Sequence, residues 1–197
     1  MSSLSRLRRP HVLVCLVFLL IFSGEGISAD RTLAVVRVLH RQLDQTLEET
    51  LVNSPTLRAI VDELEQSDLL IHVTGMGLDA RRHLSGTMTF VGSAGGRRFV
   101  RIAINERLLG DQRAAAIGHE LQHALEVARA SSVTDQPSLA ALYKRIGHET
   151  DGDPNGTCYE TDEAKQVGAL ILAEIRTAAA AARKSLRSTA ATGGSRD

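Results

Sequence analysis

Between residues 36 and 64, apolar residues recur at steps of three and four positions. This spacing is typical of one face of an amphipathic helix. The first such series predicts a helix that ends near Asn53. Its apolar positions are Val36, Leu39, Leu43, Leu47 and Leu51. Ser54 is a typical cap and Pro55 a typical first residue of a second helix. The stripe of that second helix is Leu57, Ile60, Val61 and Leu64.

After Asp68 the pattern changes to short segments rich in β-branched and aromatic residues, which indicate strands. Three strands are predicted, over residues 69–74, 87–92 and 97–104. Residues 93–96 read SAGG, a sequence typical of a turn, and are expected to join the last two strands as a hairpin. The pattern therefore predicts a small antiparallel sheet.

Three more helices are predicted after the sheet, over about residues 111–130, 137–147 and 159–182. Asp111 is expected to cap the first of them. Residues 185–197 have no pattern of buried apolar positions, and we expect this tail to be disordered.

The first 29 residues have the composition of a secretory signal peptide. Three arginines precede an apolar stretch over residues 12–22, and Ala29 ends the polar segment that follows. As a helix, this stretch is about 17 Å long, too short for a hydrocarbon core of about 30 Å. We therefore predict export from a bacterial cell, to the periplasm or the exterior, with no stable membrane anchor after signal cleavage.

Composition excludes several classes of protein. The chain carries 23 basic and 23 acidic residues, so its net charge gives no drive toward nucleic acid, and no nucleic-acid partner is expected. After removal of residues 1–29, Cys158 is the one remaining cysteine, which excludes an intramolecular disulfide framework. The length of the chain predicts a single domain, over residues 30–184. The predicted helices and strands make this an α+β domain.

Residues 119–123 read HELQH, an HExxH motif inside a predicted helix. One helical turn separates His119 from His123, so both imidazoles leave the same face and can reach one ion about 2.0–2.1 Å from each nitrogen. This pattern predicts one zinc ion per chain. Glu120 lies beside the pair and can approach a metal-bound water as a general base. The plainer alternative is a surface helix on which two histidines happen to align.

A catalytic zinc site usually has three protein ligands, so a third is expected elsewhere in the chain. Glu160 is the predicted third ligand, because it begins an apolar stripe and would face the core, where a metal would satisfy its charge. That stripe continues with Ala164, Val167, Ile171 and Ile175. Glu163 and His148 are alternative ligands, and Glu160 could instead be an ordinary acid at a helix N-terminus. Glu126 lies about 10 Å along the helix from His119, too far to share its ion.

These features resemble the zincin metallopeptidases, and specifically the gluzincin arrangement, in which a glutamate on a later helix completes the site of the HExxH helix. The resemblance covers about residues 69–182 and implies a zincin-like fold that hydrolyses peptide bonds. It also implies that an edge strand, here residues 99–104, pairs with an extended peptide or protein substrate. Tyr143, His148 and Tyr159 are candidate donors to the oxyanion.

Two further hypotheses come from the sequence. Residues 151–162 partly fit an EF-hand calcium loop, although they are also an ordinary turn sequence. The calcium ligands would be Asp151, Asp153, Asn155 and Asp162. The alternative to an enzyme is a secreted zinc-binding or interaction module without turnover, and the alanine-rich last helix with its tail is a candidate partner-binding element.

Overall fold

A computed structural model describes residues 33–77, 84–150 and 158–192, and within these ranges the chain has an α+β fold. The predicted signal peptide and most of the predicted calcium loop lie outside the described residues. The described elements are β1 Val36–Val38, α1 Arg41–Asn53, α2 Pro55–Leu64, β2 Leu69–Met76, β3 Gly86–Ala94, β4 Arg97–Asn105, α3 Gly110–Arg129, α4 Gln136–Ile146, β5 His148–Thr150, β6 Cys158–Glu160 and α5 Asp162–Thr192.

The main sheet has the strand order β1-β2-β4-β3 and is mixed. β1 pairs with β2 and β2 with β4 in parallel, whereas β3 and β4 form an antiparallel hairpin. Gly95 and Gly96 make its turn with φ values of 58° and 73°, a left-handed region that suits glycine. The hairpin is confirmed, but the prediction of a purely antiparallel sheet is wrong. A turn fixes only the pair of strands that it joins, and β2 pairs with the far side of β4.

This strand order also corrects the predicted edge strand. β4, which contains residues 99–104, lies inside the sheet, and β3 is the edge strand beside it. Val100, Ile102 and Ile104 of β4 are buried, as expected for a strand covered by helices on one face. Any peptide that extends this side of the sheet would therefore pair with β3.

The first predicted helix begins later than its apolar pattern suggested. Residues 36–38 form β1, with Val36 in register with Ile71 of β2, and α1 begins at Arg41. Glu65 accepts hydrogen bonds from the backbone of Ala34 and Val35, which holds the chain extended just before β1. An apolar residue every third or fourth position fits a helix, but Val36 is buried equally well in a strand.

α3 occupies the centre of the molecule and is buried along most of its length. It packs on the sheet and on α1, α2 and α5. Gly118 of α3 leaves room for the side chain of Ile171 of α5, so the two helices approach closely. At Gly168 of α5, a Cβ atom would lie 3.5 Å from Cβ of His119. α5 therefore forms one wall beside the HExxH motif.

The remaining helices differ from their predictions mainly at the ends. Asp111 does not cap α3; it lies in the first turn and forms an ion pair with Arg176 at 2.7 Å. α5 begins at Asp162 and continues to Thr192, so residues 185–192 are helical where a disordered tail was predicted. Alanine has the highest helix propensity, and the alanine tract extends the helix without burial. No helix in the described ranges has both the length and the hydrophobicity of a bilayer span.

Candidate metal centre

Two histidines of α3 and one glutamate of β6 form the candidate metal centre. β6 pairs with β5 in an antiparallel two-stranded sheet. His119 and His123 lie one turn apart, and their rings meet edge to face with centroids 4.9 Å apart. Glu160 is the last residue of β6, where the chain turns into α5. Gly147 meets the backbone of Glu160 so closely that a Cβ there would lie 2.5 Å from its carbonyl oxygen. This contact fixes β6 against the end of α4.

The three predicted ligands converge on one point. Oε1 of Glu160 lies 3.3 Å from Nε2 of His119 and 3.4 Å from Nε2 of His123. One ligand atom from each residue can be chosen so that all lie within 4.8 Å of one another. The structure therefore brings together residues that are 41 positions apart in the chain.

The geometry of this triad fits a small divalent ion. Four ligands at 2.0–2.1 Å from zinc, placed tetrahedrally, would lie about 3.3 Å from each other. The two nitrogen–oxygen distances match that edge length. Two imidazoles and one carboxylate are a ligand set that zinc accepts. A fourth position would face the cavity that these residues line.

Neighbouring groups shift the pKa values of His123 and Glu160 in opposite directions. Burial favours the neutral form of His123, but hydrogen bonds to Glu126 and Glu160 outweigh it and raise the pKa of His123 to about 10. Burial raises the pKa of Glu160, but the hydrogen bonds from His119 and His123 outweigh it, so the pKa falls well below its usual value. The site thus concentrates negative charge beside two imidazoles, which is the electrostatic environment that a cation favours.

Glu120 lies in the same cavity and is only 5% exposed. Burial raises the pKa of its carboxyl group, although His123 and His119 partly oppose this rise. Its side chain lies against Gly86 at the start of β3, where a Cβ atom would be 2.7 Å from both Cγ and Oε1 of Glu120. A buried carboxylate of raised pKa, next to a cation site, is suited to accept and return a proton.

Sequence reasoning missed the groups that contact the ligands from outside. Among the described residues, Glu126 is not part of the group whose ligand atoms converge, but its Oε2 accepts a hydrogen bond from Nδ1 of His123 at 2.9 Å. Its Oε1 accepts a second hydrogen bond, from Oγ1 of Thr161, at 2.7 Å. The spacing of three residues between His123 and Glu126 is a helical contact spacing and was the one signal in the sequence.

The alternative ligands lie elsewhere. Glu163 is exposed and pairs with Arg129 at 3.5 Å. His148 meets Nζ of Lys165 at 3.0 Å on the surface. Of the four predicted calcium ligands, only Asp162 is described, as an exposed residue in the first turn of α5.

The two tyrosines predicted as oxyanion donors line the cavity, but their hydroxyl groups have other partners. The hydroxyl of Tyr143 donates to the carbonyl oxygen of His123 at 3.0 Å, and burial raises its pKa well above the usual value. The hydroxyl of Tyr159 donates to Oε1 of Glu149 at 3.3 Å. Half-buried Cys158 also lines the cavity, outside the triad.

The cavity around the triad has a volume of about 860 Å³. Residues 84–89, which include the first half of β3, form one side, and α3, α4 and α5 form the others. Apart from the triad, Glu120 and Lys165, the described lining residues are uncharged.

Comparison of the chain with family models, curated proteins and solved structures gave no match.

Proposed function

We propose that this chain is a zinc-dependent metallopeptidase. The observation that carries the proposal is the convergence of His119, His123 and Glu160 beside Glu120, in a cavity bordered by an edge strand. An HExxH motif on a buried helix provides two ligands and a base, and a third ligand from a distant segment completes the set. The resemblance to gluzincins in the order of these elements supports the same function.

In this proposal the triad holds one zinc ion and leaves one position open toward the cavity. The ion, when bound, supplies Lewis-acid polarisation of a peptide carbonyl and acidifies a water molecule. Glu120 removes a proton from the attacking water as it adds to the carbonyl carbon. It then returns that proton to the amine nitrogen as the C–N bond breaks, so one water is consumed for each bond cleaved.

An extended peptide is the substrate that the cavity suits. β3 is an edge strand, and its first residues border the cavity on the side of Glu120. An edge strand offers unpaired backbone groups that can bind an extended segment as an additional strand. Such pairing would place a peptide carbonyl near the triad. The leader-like composition of residues 1–29 supports action in the periplasm or outside the cell.

The test compares Glu120→Gln with the unchanged chain for zinc content and for cleavage of a broad peptide library. We expect Glu120→Gln to keep its zinc and to lose about 10²–10⁴-fold in cleavage rate, because it removes the base and keeps the shape. Glu163→Gln, at an exposed glutamate, is the matched control and should cleave normally.

Undiminished cleavage by Glu120→Gln, or loss of zinc from that variant, would refute the role of Glu120. Full zinc occupancy without cleavage by the unchanged chain would favour a zinc-binding module instead.

A further inference from the structure

Thr161 connects two of the three proposed metal ligands. It is 2% exposed and lies between β6 and α5. Its backbone N–H donates to Oε1 of Glu160 at 2.9 Å, the same oxygen that faces both histidines. Its hydroxyl donates to Glu126, which in turn accepts a hydrogen bond from His123. One residue therefore contacts Glu160 directly and His123 through a single carboxylate.

The direction of each hydrogen bond follows from the number of available protons. The backbone N–H of Ala164 donates to Oγ1 of Thr161 at 3.1 Å, so this oxygen already acts as an acceptor. The hydroxyl proton of Thr161 is then directed to Glu126, whose carboxylate can only accept. The second oxygen of Glu126 accepts the hydrogen bond that Nδ1–H of His123 donates. In the neutral, metal-binding form of His123 the lone pair is then on Nε2, the nitrogen that faces Glu160.

The burial of these groups makes the connection rigid. Glu126 is 7% exposed and His123 is 6% exposed, so water cannot easily replace either partner. A carboxylate that holds the second nitrogen of a metal-binding histidine fixes both the tautomer and the ring orientation. In this chain that carboxylate is itself held by a hydroxyl from the segment that carries Glu160.

We infer that Thr161 is a positioning residue, which sets His123 and Glu160 at the separation that a metal ion requires. The inference rests on the proposed metal site and adds a requirement to it. α3 supplies His123 and Glu126, whereas β6 and the start of α5 supply Glu160 and Thr161. Without the Thr161 hydroxyl, the two segments would still pack, but Glu126 would lose its link to the second segment.

The test measures the zinc dissociation constant of the full chain by competition with a chromogenic chelator. Thr161→Val keeps the shape and the backbone N–H but removes the hydroxyl. In Glu126→Gln, the hydrogen bond from the backbone N–H of Ala164 to Oγ1 of Thr161, which caps the start of α5, stays in place. The new side chain presents an amide N–H₂ to one of the two donors that residue 126 contacts. We expect each variant to bind zinc about 10–100-fold more weakly, the usual cost of losing such a partner.

Three matched variants separate positioning from general stability. Thr161→Ser keeps the hydroxyl and should restore binding to within about three-fold of the unchanged chain, well inside the expected loss. Thr177→Val changes an exposed threonine of α5 that bonds only within the helix, and it should bind normally. Glu163→Gln serves the same purpose for Glu126→Gln. The absorption spectrum of the cobalt-loaded chain should change with Thr161→Val and Glu126→Gln but not with the three controls.

The outcomes distinguish this inference from the proposed function. Unchanged zinc affinity in Thr161→Val overturns the positioning role of Thr161, whatever Glu126→Gln does, while the metal site stands. Absence of zinc binding by the unchanged chain overturns the metal site itself. If Thr161→Val does not fold, Glu126→Gln decides the question: normal zinc binding by that variant overturns the positioning role, since Thr161 reaches His123 through Glu126.

Discussion

Gly86 gives Glu120 the space in which it can act. β3 begins at this glycine, and the side chain of Glu120 lies within 2.7 Å of the position that a Cβ atom would occupy. Because Glu120 is almost fully buried, it has little room to move away from an added methyl group. The proposed base is therefore positioned by a residue of the edge strand as well as by its own helix.

Gly86→Ala should reduce catalysis without removing the metal. The new methyl group would displace the carboxyl group of Glu120, whose Cγ, Cδ and Oε1 are the three atoms nearest to it. We expect at least a ten-fold lower kcat/KM, about 1.4 kcal/mol of transition-state stabilisation, with zinc content unchanged. Gly77→Ala is the control, since a Cβ at Gly77 has no neighbour within 4 Å among the described residues. Equal kcat/KM values for the two variants would contradict this role of Gly86.

At the level of the elements, one buried arginine holds the end of the HExxH helix to the sheet. Arg98 of β4 is 5% exposed and donates to both carboxylate oxygens of Asp68, at 2.6 and 2.8 Å. It also donates, at 2.7–3.3 Å, to the carbonyl oxygens of Val127, Ala128, Ala130 and Val133. A helix leaves its last carbonyl groups without partners inside the helix, and Arg98 donates to two of those in α3, Val127 and Ala128.

Arg98→Met should destabilise the fold by about 2–4 kcal/mol, since it removes a buried donor from four carbonyl oxygens and from the carboxylate of Asp68. Urea unfolding of the two chains measures this difference in free energy. Arg97→Met alters the exposed neighbour on the same strand and should change stability by less than about 0.5 kcal/mol. Similar losses in both variants would show that the contacts of Arg98 do not stabilise α3.

The partner of this arginine predicts a pH dependence. Hydrogen bonding by Arg98 outweighs burial and lowers the pKa of Asp68. Its carboxylate therefore stabilises the fold fully above the unfolded pKa of about 3.9, and this stabilisation is lost as the pH falls through the lower folded value. In urea unfolding, the stability difference between the unchanged chain and Asp68→Asn should be constant from pH 7 to 5 and shrink below about pH 4. A difference that grows on acidification would contradict the sign.

The sequence was most informative where chemistry depends on local spacing. A separation of four residues on a helix places His119 and His123 together in any fold that keeps the helix. Glu160 was reached through a helical stripe, although it lies at the end of β6. β6 leads directly into α5, and Glu160 lies in the cavity beside His119 and His123.

The remaining features depend on contacts between distant segments. The link between Thr161 and Glu126 joins residues 35 positions apart and requires α5 to pack on α3. The parallel pairing of β2 with β4 is also non-local. The local sequence predicts the turn between β3 and β4, and therefore the pairing of those two strands alone. Val36 was assigned to a helix because its apolar spacing suits both a helix and a short buried strand.

In the molecule as a whole, the candidate site lies where three distant segments meet. The start of β3 brings the edge strand, α3 brings the HExxH motif, and the passage from β6 to α5 brings Glu160. Residues 179–189 of α5 are exposed, in contrast to the first part of the helix, which is partly buried. The part of α5 that contacts α3 and the first two helices is therefore the part that shapes the site.

Metal content is the decisive property of the whole chain. Elemental analysis of the purified protein, prepared without chelators, should give about one zinc ion per chain, as for a site with three protein ligands. Glu160→Ala should lose this zinc, whereas Glu163→Ala, which alters the exposed glutamate one turn further on, should retain it. No zinc in the unchanged protein, or loss of zinc from Glu163→Ala with retention in Glu160→Ala, would contradict the ligand set and the proposed function built on it.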